Sequence, residues 1–278
     1  YIIEMNLSLL KKKSIEMRKK IFSKYYLLKE GHPGSVFSIM DILIVLYYSG
    51  FVRKAKQYKN SFFKDDIIMS KGHATVGQYP ILHDLKIITS RDWNNWGHNH
   101  NTCLRMFGNN NIPGIKTATG SLGHGIGLGT GIAFSAKRKK IDKRVYVIIS
   151  EGELYEGSTW EALLLLSSLK LDNLCLILDI NNKMILGSPK DSIDLGNIEK
   201  KLNTFGIKTE KCNGHNFSQI YSGLKKLQNL RGATCLMAYT VKGKGIKVME
   251  DKAQSHYWMN ISEDIYNEEL MQLESSDE

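Results

Sequence analysis

Two oxygen-bearing clusters stand directly after apolar, β-branched runs. Val145-Tyr-Val-Ile-Ile-Ser150 leads into Glu151 and Gly152, and Leu174-Cys-Leu-Ile-Leu-Asp-Ile180 leads into Asn181 and Asn182. A carboxylate and a side-chain amide are hard oxygen donors, suited to Mg²⁺ or Ca²⁺, and magnesium commonly joins one or two protein oxygens to substrate phosphates. Gly152 leaves the backbone bare ahead of a helix, where N–H groups and the helix dipole favour a phosphate. The chemistry this implies is the holding of a diphosphate through a metal.

Such groups need elements that bring them together. Each run suits a buried strand, and Ser158 to Lys170 between them reads as a helix. The right-handed crossover of a βαβ unit then sets Glu151 and Asn181 at the carboxyl ends of two parallel strands, the edge where open α/β sheets bind ligands. The remaining chain extends this alternation. Asn6 to Glu30 reads as an amphipathic helix ending at Gly31, followed by a non-helical turn, Gly31-His32-Pro33-Gly34, that presents His32. Ser38 to Tyr48 is an apolar core helix, and Asp65 to Ser70 a short strand delivering Lys71-Gly72-His73-Ala74 onto a glycine turn. Tyr79 to Leu85 is helical, with His83 assigned to packing, and Arg91 to Pro113 is irregular. Beyond Gly187 the pattern predicts helix to Phe205, strand to Cys212, helix to Leu230, strand from Thr234 to Val241, and a loop from Gly243 to Tyr257 carrying His256. From Asn260 acidic helix-forming residues run to a frayed end. The fold class is α/β: a doubly wound, mostly parallel sheet with helices on both faces, as one domain over residues 1–278.

Composition narrows the function classes. The chain has 278 residues, 42% of them hydrophobic, enough to bury a sizeable core. Cys103, Cys175, Cys212 and Cys235 form no CxxC pair, which points to reduced thiols in the cytoplasm instead of a disulfide framework or a zinc site. No run approaches the roughly 18 apolar residues that span a bilayer, so no membrane partner is expected. A formal charge of +10 raises the question of nucleic acid. The lysines are spread, however, and Lys11 to Lys13 and Lys137 to Lys140 lack interleaved aromatic residues that would stack bases, so none is expected. Positive potential also suits phosphorylated sugars or an acidic partner. Gly120 to Gly131 has glycine at six of twelve positions but no Gly-x-Gly-x-x-Gly register, which rules against a dinucleotide loop.

An acidic residue and Gly at a strand end, then roughly thirty residues, then Asn after another strand, resembles the thiamine diphosphate motif. Gly31-His-Pro-Gly34, Ser70-Lys-Gly-His-Ala74, Thr119-Gly-Ser-Leu-Gly-His-Gly125, Glu156-Gly-Ser-Thr-Trp-Glu161 and Thr240-Val-Lys-Gly-Lys-Gly245 follow the order of the amino-terminal, diphosphate-binding (PP) part of transketolase, from about Ile15 to about His256. The resemblance implies the first subunit of a split transketolase, which moves a two-carbon ketol unit from a ketose or ketose phosphate to an aldose. Thiamine diphosphate and Mg²⁺ (or Ca²⁺) are the implied cofactors. His32, His73 and His256 resemble the family's active-site histidines; His73, Gly120, Leu122, Gly152, Glu156 and Asn181 resemble its cofactor-binding residues. Glu151, Asn181 and the Lys183 carbonyl resemble its metal ligands. Glu156 and Glu161 match an acidic network across the subunit interface, and the apolar stretch Ala162 to Leu166 beside them predicts a buried helix. The activating glutamate belongs to a pyrimidine-binding domain expected on a complementary chain, the C-terminal transketolase subunit, in an α₂β₂ assembly with the cofactor at the interface.

The chain departs from that pattern twice. The usual Gly-Asp-Gly reads Ser150-Glu151-Gly152, one methylene longer at the metal carboxylate. Where transketolases usually carry a Gly-His-Pro turn, this chain has Met106-Phe107-Gly108-Asn109, with His98 and His100 nearby and His124 where many transketolases have glutamine. These departures keep two alternatives open: a specialised thiamine diphosphate-dependent ketol transfer or condensation in sugar biosynthesis, and a noncatalytic regulatory paralogue.

Overall fold

The computed structural model describes residues 6–55, 62–98, 102–185, 187–189 and 193–275. Asn6 caps helix α1 (Leu7–Leu28) by accepting from the Leu9 N–H at 2.9 Å, and the helix stops where Lys29 turns left-handed and donates back to Tyr25. Helix α2 (Pro33–Tyr48) begins earlier than expected. Pro33 and Gly34 form its first turn, because proline loses nothing at a position whose N–H has no partner within the helix. A Cβ at Gly34 would collide with the Ser255 carbonyl, so the glycine serves close packing. Apolar on every side, α2 is sandwiched and buried along nearly its whole length.

Strand β1 (Asp66–Met69) follows, then a 3₁₀ turn over Gly72–Gln78, the short helices α3 (Tyr79–Asp84) and α4 (Ser90–Asn95), and helix α5 (Gly125–Arg138). His83 stacks on Trp93 with ring centroids 5.2 Å apart, the packing role expected of it. Strand β2 (Val145–Ser150), helix α6 (Gly157–Ser168) and strand β3 (Leu174–Ile180) complete the predicted βαβ unit. Helix α7 (Ile198–Thr204), strand β4 (Lys208–Asn213), helix α8 (Phe217–Gln228) and strand β5 (Thr234–Tyr239) extend it. Of the helix predicted from Gly187 to Phe205, the described residues form only α7; Asp194 and Gly196 fall in coil, and the start is set by the Asn197 side chain capping Lys200 N.

Among the described residues the five strands are all parallel, in the order β1-β2-β3-β5-β4. Alternate side chains feed two layers. Tyr146, Ile148, Ile177 and Leu236 pack toward α1, α2 and α8, while Val147, Ile149, Leu176 and Met237 pack toward α5, α6 and α7. The helix-on-both-faces reading holds. One expectation about helices holds and one needs correction. The acidic helix-forming stretch after Asn260 is helix α9 (Glu263–Ser275), and it docks on α1, with Tyr266 stacked on Tyr26 at 4.0 Å and buried Glu269 accepting from the Lys247 and Val248 N–H groups. Helix α6 is not buried all round in this chain, since Leu164 and Leu165 are 60% and 53% exposed while Leu163 and Leu166 face the core. Among the described residues no helix is long and apolar enough to cross a membrane.

Candidate active site

The carboxyl ends of β1, β2, β3 and β5 open onto one cavity of about 240 Å³. Its wall includes His73, Leu122, Glu151, Gly152, Asn181, Lys183 and His256. His32 joins through its neighbours: the rings of His32, His73 and His256 form a triangle with centroids 5.2 to 5.3 Å apart. Three histidines far apart in the chain thus meet, His32 as the residue before α2, His73 in the turn after β1 and His256 at the end of the 3₁₀ turn Ala253–His256. Gly120 and Glu156 stand outside the cavity wall. Gly120 faces Phe107 at the rim, and Glu156 is exposed, its side chain packed against Gly123. His98 and His124 are likewise absent from the wall, and His100 lies outside the described residues.

The floor is a buried ion pair that sequence reasoning missed. Lys71 Nζ lies 2.6 Å from Asp179 Oδ2, with side chains 1% and 0% exposed. Ser38 Oγ donates to the same oxygen at 2.8 Å, Asn181 Nδ2 at 3.1 Å, and the Thr240 hydroxyl donates to the other. Burial alone would raise the Asp179 pKa; the Lys71 ammonium and these hydrogen bonds outweigh it and hold the group below its ordinary value. In the sequence Lys71 is one letter of a glycine-turn motif, and the lone Asp in the apolar run of β3 is the signal that could have found the pair. Asn181 is thereby oriented: its amide nitrogen is committed to Asp179, and its oxygen accepts from the Lys183 N–H at 3.1 Å.

Glu151 accepts from the Asn182 N–H at 3.1 Å, and burial, with Asp179 nearby, raises its pKa against that bond. Among the described residues no cationic side chain pairs with this carboxylate. Gly152 does not precede a helix N-terminus directly: Ser150 and Glu153 form a capping box that winds Glu151–Tyr155 into a 3₁₀ turn, and α6 starts only at Gly157. A Cβ at Gly152 would meet nothing nearer than Ser150 Oγ at 3.8 Å, so the bare backbone faces open cavity. Glu153, also overlooked in the sequence, is fully buried and accepts from the Ser70 hydroxyl and from the Ser150 and Gly123 N–H groups at 2.9 and 3.0 Å, tying β1, β2 and the glycine-rich loop together.

Positive charge surrounds the histidines. Burial lowers the His32 and His73 pKa values, helped by Lys242 at the first and Lys71 at the second; burial and Lys242 push His256 down to about 3. All three imidazoles are neutral near pH 7, able to accept a proton or hydrogen-bond a hydroxyl. Lys242 Nζ sits 3.3 Å from His256 Nδ1 and 3.4 Å from the Lys183 carbonyl, and burial and Lys71 lower its own pKa to about 8. A second buried network places that lysine. Arg18 and Asp41 pair at 2.8 Å, His215 Nδ1 donates to Asp41 at 2.8 Å, and its Nε2 accepts from the Val241 N–H at 2.8 Å.

Residues 21–268 match the family model described as transketolase, thiamine diphosphate binding domain. The chain belongs to the transketolase family. It is 32% identical over 228 residues to an apulose-4-phosphate transketolase subunit of Actinobacillus succinogenes, covering 82% of each chain. With the protein of the same name in Phocaeicola vulgatus it shares 30% identity over 260 residues, covering 93% of this chain and 92% of that one. Among solved structures, transketolase from Campylobacter jejuni superimposes with a TM-score of 0.87 at 26% identity, covering 97% of this chain and 43% of that chain. The chain thus spans less than half of that transketolase, and the likeness places its thiamine diphosphate-binding fold there. The fold and the family, expected from the ordered motifs, are borne out.

Proposed function

We propose that this chain is the diphosphate-binding subunit of a split, thiamine diphosphate-dependent transketolase. The observation that carries the reading is the meeting of Glu151, Asn181 and Gly152 with His73 and His256 on one cavity at the carboxyl edge of a parallel sheet, His32 packing on both histidines. Likeness over most of both chains to two proteins that are themselves named as transketolase subunits supports the split.

Thiamine diphosphate, when bound, supplies the nucleophilic carbon that takes up and gives away a two-carbon ketol unit. The residues present fit such a group. Glu151 is a buried carboxylate without a cationic partner among the described residues, Asn181 has its oxygen turned from Asp179, and a Cβ at Gly152 would project into the cavity. Glu151 and Asn181, with the Lys183 carbonyl, would hold Mg²⁺ or Ca²⁺, which neutralises a diphosphate. His73 and Leu122 would line the cofactor within the wall, with Gly120 at the rim and Glu156 toward a neighbouring subunit. His32, His73 and His256 would accept and return protons at substrate hydroxyls; each is neutral, and their mutual spacing lets one substrate atom reach two of them. Lys71 and Asp179 position Asn181 and keep the floor dry. The activating carboxylate would come from a C-terminal subunit in an α₂β₂ assembly, and the exposed Leu164 and Leu165 of α6 are surface that such an assembly would cover. Four free cysteines agree with a cytoplasmic setting.

The test is to isolate the native complex gently and identify both the co-purifying chain and the small molecules released on denaturation. A stoichiometric partner together with thiamine diphosphate is expected. A chain that comes alone and stays empty when thiamine diphosphate and Mg²⁺ are supplied would overturn the reading in favour of a regulatory paralogue.

A further inference from the structure

Two large aromatic side chains stand exposed beside the histidine triangle. Phe107 is 43% exposed and Tyr257 54%, and both rings lie against His32, at centroid distances of 5.7 and 5.2 Å. Tyr257 also meets His256 edge-on at 4.8 Å. Phe107 reaches from the histidines toward Gly120, whose Cβ position lies 3.8 Å from its Cδ1.

These rings are held there. The Phe107 loop is pinned on both sides: Tyr79 Oη donates to the Arg105 carbonyl at 2.9 Å, Leu104 is buried, and Gly108 is pressed so closely on Thr75 that a Cβ would collide. Next to Tyr257, Trp258 N donates to the Gly31 carbonyl at 2.9 Å, which ties the residue after Tyr257 to the residue before His32. Exposed aromatic rings held in fixed loops pack against no core of their own, and such surface in soluble proteins commonly marks a binding site.

We propose that Phe107 and Tyr257 determine substrate specificity, forming an aromatic clamp that receives the carbon face of a sugar segment passing over His32. The inference rests on the transketolase reading and names the substrate class of that same site. An aromatic face attracts the positively polarised C–H edge of a sugar and has no donor or acceptor for a hydroxyl. A hydroxyl aimed at Phe107 would give up its water and gain no hydrogen bond in return. These rings therefore select a segment that is hydroxyl-poor beside the reacting carbonyl, while His32 and His256 serve the hydroxyls that remain. A single such contact discriminates between substrates by roughly 10- to 100-fold.

The test uses the native complex, checked first for thiamine diphosphate, with hydroxypyruvate as two-carbon donor and propanal or glyceraldehyde as acceptor. Propanal lacks the hydroxyl that glyceraldehyde carries beside its aldehyde. In F107A and Y257A the ratio of kcat/KM for propanal over glyceraldehyde should fall roughly tenfold or more, and F107Y, which keeps a ring, should retain it. Equilibrium contact of each aldehyde, read by saturation-transfer NMR on the same complexes, needs no turnover and should show the propanal signal lost in F107A. A ratio or signal unmoved in both alanine variants overturns the clamp and leaves the cofactor reading standing; a complex without thiamine diphosphate overturns both.

Discussion

At the scale of single residues, the site is a set of charges whose environments are unequal. Glu151 is a buried carboxylate with no cationic partner among the described residues, so replacing it by glutamine should weaken Mg²⁺-dependent binding of thiamine diphosphate at least tenfold, measured by calorimetry on the assembled protein. Lys71 and Asp179 have each other. Removing one leaves an uncompensated charge in the floor, and D179N should cost about 3–5 kcal/mol in urea unfolding, with K71M/D179L recovering part of it. The histidines set a pH dependence. Their folded pKa values lie below the unfolded value of about 6.5, so between those limits the unfolded chain binds more protons. Stability is therefore fullest above pH ~6.5 and is lost as pH falls toward the folded values, about 3 for His256; H256Q should flatten that slope in thermal melts at pH 7 and pH 4.5. His32, His73 and Glu151 were legible in the sequence because each stands in a short motif beside glycine, and Asn181 because it directly follows an apolar strand. Lys242 was not, since a lysine in a basic chain carries no signal until its burial beside His256 sets it apart.

At the scale of elements, the glycine-rich helix α5 separates two uses of the same residue. A Cβ at Gly129 would collide with Val147 of β2, whereas one at Gly127 would meet nothing within 4 Å. G129A should destabilise by pushing α5 off the sheet, and G127A should stabilise by roughly 0.5–1 kcal/mol through helix propensity, a contrast that paired denaturant melts would expose. The sequence shows glycine at both places and cannot tell them apart, because the difference lies in what the facing strand presents. Element boundaries show the same division. Apolar runs place β1, β2, β3 and β5 to within about two residues, whereas β4 (Lys208–Asn213) is a largely polar edge strand. Helix starts depart from expectation at Pro33 and Asn197, where a proline without need of a partner and a side-chain cap chose the first turn.

At the scale of the whole molecule, α6 carries information about assembly. Leu164 and Leu165 point outward, which a buried helix would not allow in a chain acting alone. L164K/L165K should leave the isolated chain folded and weaken its association with the complementary subunit, read by sedimentation velocity and by loss of ketol transfer in the reconstituted mixture. The α/β class, the parallel sheet and the strand-end positions of Glu151 and Asn181 could be read from the chain alone, because hydrophobic period, glycine turns and motif order are local properties. Three-dimensional packing was needed to join His32, His73 and His256 in one triangle, to set Asp179 against Lys71, and to bring Phe107 and Tyr257 both against His32. Those facts depend on which strand ends are neighbours in space, and strand order is set by the packing of both helical layers at once, which no short stretch of chain encodes.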